Sequence, residues 1–426
     1  MKKIKAIKGT VDILPGMVEY WQKIEDVVRN AMVLYGYHEL RTPVFEETGL
    51  FARSIGEDTD IVGKEMYTFN DMGDRSLTLR PEGTAAVVRA FIQHSLDQRG
   101  LPQKLWYRGP MFRQERPQKG RQRQFHQFGV EVIGSPDPRV DAEVMMLFDT
   151  IMKNLDLDNC VFSINSIGGA DSRTAYREAL VGYLDTIEDA LCDDCKRRKT
   201  TNPLRILDCK VPGCKTALYQ SGNLPRTMDF LTEVDRRDFE NVQKYLGDSD
   251  LSFSCDYSMV RGLDYYTGTV FEVHYKGLGA QSAIMGGGRY DSLLASLGGP
   301  DMPAVGFACG IERLILAIQA SDSVEESGQA IDVFLVQPDE KVSDRTMKYL
   351  LILRGQGIAS DCDYMGRSMK AQMRAASRTG AKYAVIIEPG DDKVTVRAMD
   401  RSDQDTMTFD SFIEKYHHDK KILNNK

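Results

Sequence analysis

Six basic side chains face a single acid, Glu115, between Arg108 and Gln127. The basic residues are Arg108, Arg113, Arg116, Lys119, Arg121 and Arg123. They crowd the connection between two strand-like runs, 105–112 and 125–133. Positive charge beside a buried strand calls for an anionic partner. Phe125 and Phe128 add flat apolar faces close by. Guanidinium groups next to an aromatic ring suit a nucleoside triphosphate, with phosphates on the arginines and the base on the ring. A solvated hairpin tip would account for Arg116 and Lys119. It would not account for Arg113 and Glu115, which read as alternating positions on a strand, where charges are seldom buried alone.

Other clusters sit at equally suggestive spacings. RGLDYYTG brings Arg261, Asp264, Tyr265 and Tyr266 within six positions. RPEGT offers Glu82, Gly83 and Thr84 at the start of a helix-like run. Strand side chains repeat every two residues, so Phe125, Gln127 and Glu131 share one face. His126, Phe128 and Val130 face the other way. Arg313 lies in GFACGIERL, a glycine-rich passage from strand to helix, where an ion pair with Glu312 is the ordinary alternative. GGGRYD (286–291) supplies Tyr290 and glycines that let backbones approach closely. No Walker A pattern occurs, which excludes a P-loop.

Together these segments resemble the histidyl-tRNA synthetase family of class II aminoacyl-tRNA synthetases. FRQE followed by GRQRQFHQFGVEVIG resembles motif 2. SMVRGLDYYTGTVFEV (258–273) is similar to the histidine-specific peptide, and AVGFACGIERLIL (304–316) to motif 3. The order fits and the similarity runs nearly the whole chain. The resemblance implies ATP-dependent ligation of L-histidine to its tRNA through a histidyl-adenylate, with Mg2+ accompanying ATP. It implies that Arg113 and Arg261 are catalytic, both touching the α-phosphate. Glu115, Arg121, Phe125 and Arg313 would complete the ATP site. Glu82, Gly83, Thr84, Gln127, Glu131, Tyr265, Tyr266 and Tyr290 would join the two arginines around histidine. A carboxylate such as Glu131 can accept a hydrogen bond from imidazole, and a pocket of buried polar partners rejects analogues that leave them unpaired. Arg116 and Gln118 resemble residues that meet the extra 5′ guanosine of the histidine tRNA.

A synthetase-like regulatory subunit of ATP phosphoribosyltransferase is the rival reading. Such paralogues lack the C-terminal domain and have eroded ATP-site residues, whereas this chain keeps Arg113, Arg121, Arg313 and residues 331–426. An RNA-binding stress sensor would need a kinase segment, which is absent from the sequence.

These side chains need a scaffold. Residues 20–35 place Trp21, Ile24, Val27, Val28 and Ala31 at helical spacing. Gly36 ends the helix, and a strand interrupted by Pro43 follows. By resemblance this is motif 1, which with its apolar face implies a homodimer. Strands are expected at 76–80, 161–167, 253, 270–275 and 304, and helices at 145–155 and 311–320. Residues 171–247 are charged and helical in pattern, and read as an insertion. The expected fold is α+β: an antiparallel sheet flanked by helices over 1–325, then a C-terminal α/β domain over 331–426. The polar stretch 321–330 reads as a linker. The second domain alternates strand and helix as far as KVTVRAM (393–399). The resemblance makes it an anticodon-binding domain. Arg367, Lys370, Arg374, Arg378 and Lys382 recur there at spacings of three and four, a basic stripe suited to an RNA backbone.

The 426 residues exceed a typical single domain, and 42% hydrophobic with 27% charged content is ordinary for a globular protein. A net charge of −7 argues against non-specific coating of nucleic acid. No signal peptide or membrane span is legible. Eight cysteines in so long a chain are no disulfide scaffold, and a reducing cytoplasm is expected. Cys192, Cys195, Cys209 and Cys214 come near the spacing of a structural zinc site. Metal-free surface thiols are the expectation.

Overall fold

The computed structural model describes residues 3–424 apart from 57, 58, 60, 119, 221, 262, 264, 322–330, 391 and 402. Lys119, Asp264 and nearly all of the expected linker lie outside the described residues. The chain divides near residue 324 into two compact units.

The first unit carries β1 (His38–Glu39), β2 (Phe45–Glu47), β3 (Tyr67–Asn70), β4 (Ser76–Leu79), β5 (Gln103–Phe112), β6 (Gln124–Ile133), β7 (Cys160–Ser166), β8 (Phe253–Cys255), β9 (Thr267–Tyr275), β10 (Ala283–Arg289) and β11 (Ala304–Gly310). Eight of them form one sheet in the order β1-β5-β6-β11-β10-β9-β7-β8. Its interior pairings are antiparallel, as expected. The two edge pairs, β1–β5 and β7–β8, are parallel. Long connections precede β5 and β8, and such connections allow parallel pairing. Strands β2, β4 and β3 form a separate small sheet. Pro43 therefore separates two strands of different sheets rather than kinking one.

The helices are α1 (Val18–Leu34), α2 (Thr48–Ile55), α3 (Thr84–Gln93), α4 (Pro138–Asn154), α5 (Ala170–Thr186), α6 (Asp193–Thr201), α7 (Pro212–Gln220), α8 (Glu233–Asp248), α9 (Leu293–Ser296) and α10 (Ile311–Ala320). The start of α4 shows why it forms there: Pro138 opens the helix, and the Asp137 carboxylate accepts the Arg139 N–H at 2.9 Å. The large sheet is buried on both faces. On one, Trp106, Phe128, Val130, Phe271 and Phe307 pack with α1, α4, α8 and α10. On the other, Leu105, Tyr107 and Met111 pack with α3 and the aromatic rings of Tyr265, Tyr266 and Tyr290. The apolar face of α1 is spent inside this core: Trp21, Ile24, Val28 and Ala31 are all buried. It is not free to meet a second copy, so that support for a dimer falls away.

The helical insertion is smaller than 171–247. Helices α5, α6 and α7 share a core of their own around Tyr176, Leu180, Leu184, Ile206 and Leu218. Helix α8 instead sends Phe239, Val242 and Leu246 into the main core, against α4.

The second unit contains β12 (Val333–Val336), α11 (Ser343–Gly355), β13 (Ser360–Cys362), α12 (Met369–Arg378), β14 (Tyr383–Ile387), β15 (Lys393–Ala398), β16 (Gln404–Thr408) and α13 (Phe409–Asn424). Its sheet runs β13-β12-β14-β15-β16, parallel through β14 and antiparallel beyond. All four residues of β12 are buried, as befits a central parallel strand covered on both faces. Strand β16 and helix α13 extend the expected α/β pattern. Among the described residues no helix is long and apolar enough to cross a membrane.

Candidate active site

A cavity of about 290 Å³ opens on the α3 side of the large sheet. Strand β6 forms its floor. Phe125, Gln127 and Glu131 line it, while Phe128 and Val130 are buried on the opposite face, as the two-residue repeat requires. Glu82, Thr84, Arg113, Glu115, Arg121, Arg261, Tyr265, Tyr266, Tyr290 and Arg313 also face it. Residues from six separate stretches of chain thus converge on one space.

The polar end is built around Glu131, which is 1% exposed. The Thr84 hydroxyl donates to one of its oxygens at 2.7 Å, and the Tyr290 hydroxyl donates to the other. Burial pushes this carboxyl up to about 8, although both hydrogen bonds pull it down. Glu82 anchors the start of α3, accepting the N–H groups of Thr84 at 2.6 Å and Ala85 at 2.9 Å. These are first-turn amides that the helix cannot satisfy itself. Burial raises the Glu82 carboxyl too. Gly83 does not line the cavity. It lies under the Tyr107 ring, and any β-carbon there would collide with it. The Oε1 of Gln127 is buried with no hydrogen-bond partner. An orphaned acceptor aimed into a polar cavity points to a donor on a ligand.

The other end is cationic. Arg113 follows the end of β5, rather than lying on the strand as its alternation with Glu115 suggested. Its Nε donates to the Pro81 carbonyl at 2.9 Å, and its guanidinium lies 5.2 Å from the centre of the Phe125 ring. Burial lowers its affinity for a proton, and the charge of Arg121 adds to this. Arg313 is lowered by burial and by Arg121 as well. It donates to the carbonyls of Ala283 and, at 3.4 Å, of Gly120. The expected alternative partner, Glu312, is committed elsewhere: it accepts from the His126 backbone at 2.9 Å and meets its Nδ1 at 3.0 Å. Three mutually repelling guanidinium groups make a ready anion site. Glu115 reaches Arg121 at 3.3 Å, so here it serves a cation.

Arg261 bridges the two ends. Its guanidinium pairs with Glu272 and lies 5.7 Å from the centre of the Tyr266 ring. Glu272 is tied in turn to His274 Nε2 at 3.2 Å. Gly286 leaves the space that the Arg261 guanidinium occupies. The sequence reading missed Glu272 and the His126–Glu312 pair. Glu272 is a lone acid within an apolar strand, TVFEV, and that was its signal. It also passed over Arg80, which is buried and donates to the Pro110 carbonyl and the Thr42 hydroxyl, both at 2.9 Å.

Not every expected residue joins the cavity. Arg116 and Gln118 are exposed on the loop between β5 and β6. In the second unit Lys370, Arg374 and Arg378 are exposed along α12. Arg367 precedes that helix and is paired with Asp363, while Lys382 follows it and meets Asp332 at 2.8 Å. Within α12 itself the stripe is three residues long, and Arg367 and Lys382 flank it as exposed but ion-paired cations. The four cysteines of the insertion are not scattered surface thiols: their sulfurs lie within 4.8 Å of one another.

Comparison with known proteins gives the family of the chain. Residues 9–314 match the family model described as histidyl-tRNA synthetase, and residues 331–417 match the anticodon binding domain. A histidine–tRNA ligase of Halothermothrix orenii is 49% identical over 97% of this chain and 98% of its own length. One from Thermotoga maritima is 48% identical, covering 94% of this chain and 95% of its own. The crystal structure of apo histidyl-tRNA synthetase from S. aureus superposes with a TM-score of 0.82 at 39% identity, covering 97% of this chain and 99% of that one. With both units matched, and relatives aligned almost end to end, the chain belongs to the histidyl-tRNA synthetase family.

Proposed function

We propose that this chain joins L-histidine to its tRNA in two steps, with ATP consumed in the first. The histidine carboxylate attacks the α-phosphorus of ATP, releasing pyrophosphate and leaving histidyl-adenylate. The terminal ribose hydroxyl of the tRNA then attacks the acyl carbon, forming the ester and releasing AMP and the hydroxyl proton. The observation that carries this reading is a buried carboxylate, Glu131, held by Thr84 and Tyr290 at one end of a cavity whose other end holds Arg113, Arg121 and Arg313.

In this reading Glu131 and Gln127 receive the imidazole N–H groups, with Tyr265, Tyr266 and Tyr290 around the ring. Glu82 and Thr84 hold the α-amino group, and Gly83 keeps that turn tight against Tyr107. Arg261 spans the carboxylate and the α-phosphate, and Arg113 grips the α-phosphate from the other side. Arg121 and Arg313 hold the outer phosphates, Phe125 stacks on adenine, and Glu115 turns toward the adenine amine. Charge that builds on the α-phosphate meets guanidinium groups already in place, so little reorganises as the reaction proceeds. Magnesium would arrive on the nucleotide phosphates. Those phosphates supply the hard oxygen donors it favours, since Glu312 is held by His126 and Glu115 by Arg121.

Arg116 and Gln118 are assigned to the acceptor end of the tRNA, and Arg367, Lys370, Arg374 and Arg378 to its anticodon region. A homodimer and a cytoplasmic location, where ATP and uncharged tRNA meet, belong to the same proposal. The exposed Val33 and Leu34, rather than the spent face of α1, are the residues of that helix a second copy could cover. The regulatory-subunit reading is disfavoured by the three cavity arginines and by the presence of residues 331–417. Incubation with histidine, ATP and histidine tRNA tests the proposal: charged tRNA should accumulate. Histidine binding without pyrophosphate exchange or charging would favour the regulatory subunit instead.

A further inference from the structure

The small core shared by α5, α6 and α7 ends in four thiols. Cys192 directly precedes α6 and Cys195 lies in its first turn. Cys209 precedes α7 and Cys214 lies in that helix. Two chain segments thus each present a pair of cysteines to the same point. All four sulfurs fall within 4.8 Å of one another, and those of Cys192 and Cys209 are 4.0 Å apart. Zinc–sulfur bonds of about 2.3 Å in a tetrahedron set sulfur–sulfur edges near 3.8 Å. The Cys192–Cys209 edge is already within a few tenths of an ångström of that value, and the widest needs at most about an ångström of contraction to close around an ion.

Three further features agree. The backbone N–H of Cys192 donates to the Cys214 sulfur at 3.2 Å, a bond that steadies a thiolate. Cys195, Cys209 and Cys214 are each followed immediately by a lysine, Lys196, Lys210 and Lys215. A tetrathiolate zinc centre carries two net negative charges, and nearby ammonium groups offset them. The apolar core around Tyr176, Leu184 and Leu218 is also small for a module that departs from the main core after β7 and rejoins it at α8. Modules of that size are commonly stapled by a metal.

We propose that Cys192, Cys195, Cys209 and Cys214 bind one zinc ion as a structural site in the insertion. Four protein ligands leave no open position, and none of the four lines the catalytic cavity, so the ion takes no part in the reaction. Thiolate donors select zinc over magnesium or calcium.

The chain should be purified in full length under reducing conditions and its metal content measured. About one zinc per chain is expected, falling to background in Cys195→Ser and Cys214→Ser and persisting in Cys160→Ser. Should the first two variants not fold, the unaltered protein decides. Alkylation mapped by peptide mass should find the four cysteines protected together, and a chelator should expose them as a set. Replacement by Co2+ should give the visible absorption of a tetrahedral tetrathiolate. Three results would each overturn the proposal: no uptake of zinc or cobalt by the reduced chain, zinc retained in folded Cys195→Ser and Cys214→Ser, or protection that yields to a reductant but not to a chelator. The last would mean disulfides.

Discussion

Arg113, Arg121, Arg261 and Arg313 line a cavity, whereas Lys370, Arg374 and Arg378 stand in solvent along α12. The first group is braced. Each is fixed by carbonyls, a carboxylate or a ring, and burial strains the charge of Arg113 and Arg313. The second group has no ion-pair partner among the described residues. Fixed guanidinium groups suit an anion of one defined shape, and above all one whose charge grows during a reaction. Long, loose side chains suit a polyanion whose phosphates can be met in many registers, with affinity drawn from released counterions. The same residue types are set to two tasks by their surroundings.

The sharpest way to break this contrast is Arg261→Ala. Loss of one fixed partner of the transition-state charge should cost on the order of 3 kcal/mol, or a hundredfold and more in rate. Histidine-dependent pyrophosphate exchange reads this directly. Near-normal exchange in a folded variant would remove Arg261 from the chemistry. Next in size is deletion of residues 331–426. The cavity belongs wholly to the first unit, so exchange should persist while tRNA charging falls steeply. Equal loss of both would mean that the second unit is needed for the catalytic step itself.

A different readout, the pH dependence of stability, is expected to change in Glu131→Gln. Burial raises this carboxyl to about 8 in the folded chain, against 4.5 ordinarily. Between those values the folded state holds a proton that the unfolded chain has released. Glu131 therefore contributes a loss of stability as pH rises from about 5 to 8. The glutamine variant should show a flatter decline over that window, measured as denaturation midpoints. Parallel curves would show that Glu131 is already ionised in the free protein. The smallest effects belong to the stripe. Reversing Lys370, Arg374 or Arg378 to Glu should weaken tRNA binding and flatten its salt dependence by about 0.7 to 0.9 per lost phosphate contact. Lys382→Ala, which breaks a pair with Asp332, should change that slope little. Identical slopes for Lys382 and Arg374 variants would erase the distinction between paired and unpaired cations.

Much of the site was legible because a strand writes its facing into every second residue. The placing of Phe125, Gln127 and Glu131 together needed nothing more. The length of the stripe was not legible. Spacing alone puts Arg367 and Lys382 in line with Arg374, but only the fold shows that the helix spans Met369–Arg378 and that carboxylates engage both outliers. The insertion was overdrawn for a similar reason. Its charged texture runs on through α8, while Phe239, Val242 and Leu246 turn toward the main core. Helix α13 could have been read: Phe409, Phe412, Ile413 and Tyr416 fall at helical spacing and are buried. Convergence of the four cysteines could not, since it depends on how α6 and α7 are brought together.

The Glu115–Arg121 pair has a consequence for what the cavity refuses. Inorganic phosphate or sulfate approaching Arg121 must displace a carboxylate that is already tethered beside it, and a tether confers a high effective concentration. A small anion engaging one guanidinium gains too little to win that exchange. In the proposed reading, a triphosphate whose adenine rests on Phe125 would meet Arg113, Arg121 and Arg313 together, so its second and third contacts would be intramolecular events. On that reading the internal counter-ion would act as a threshold, favouring an anion that engages several guanidinium groups at once over one that engages a single one.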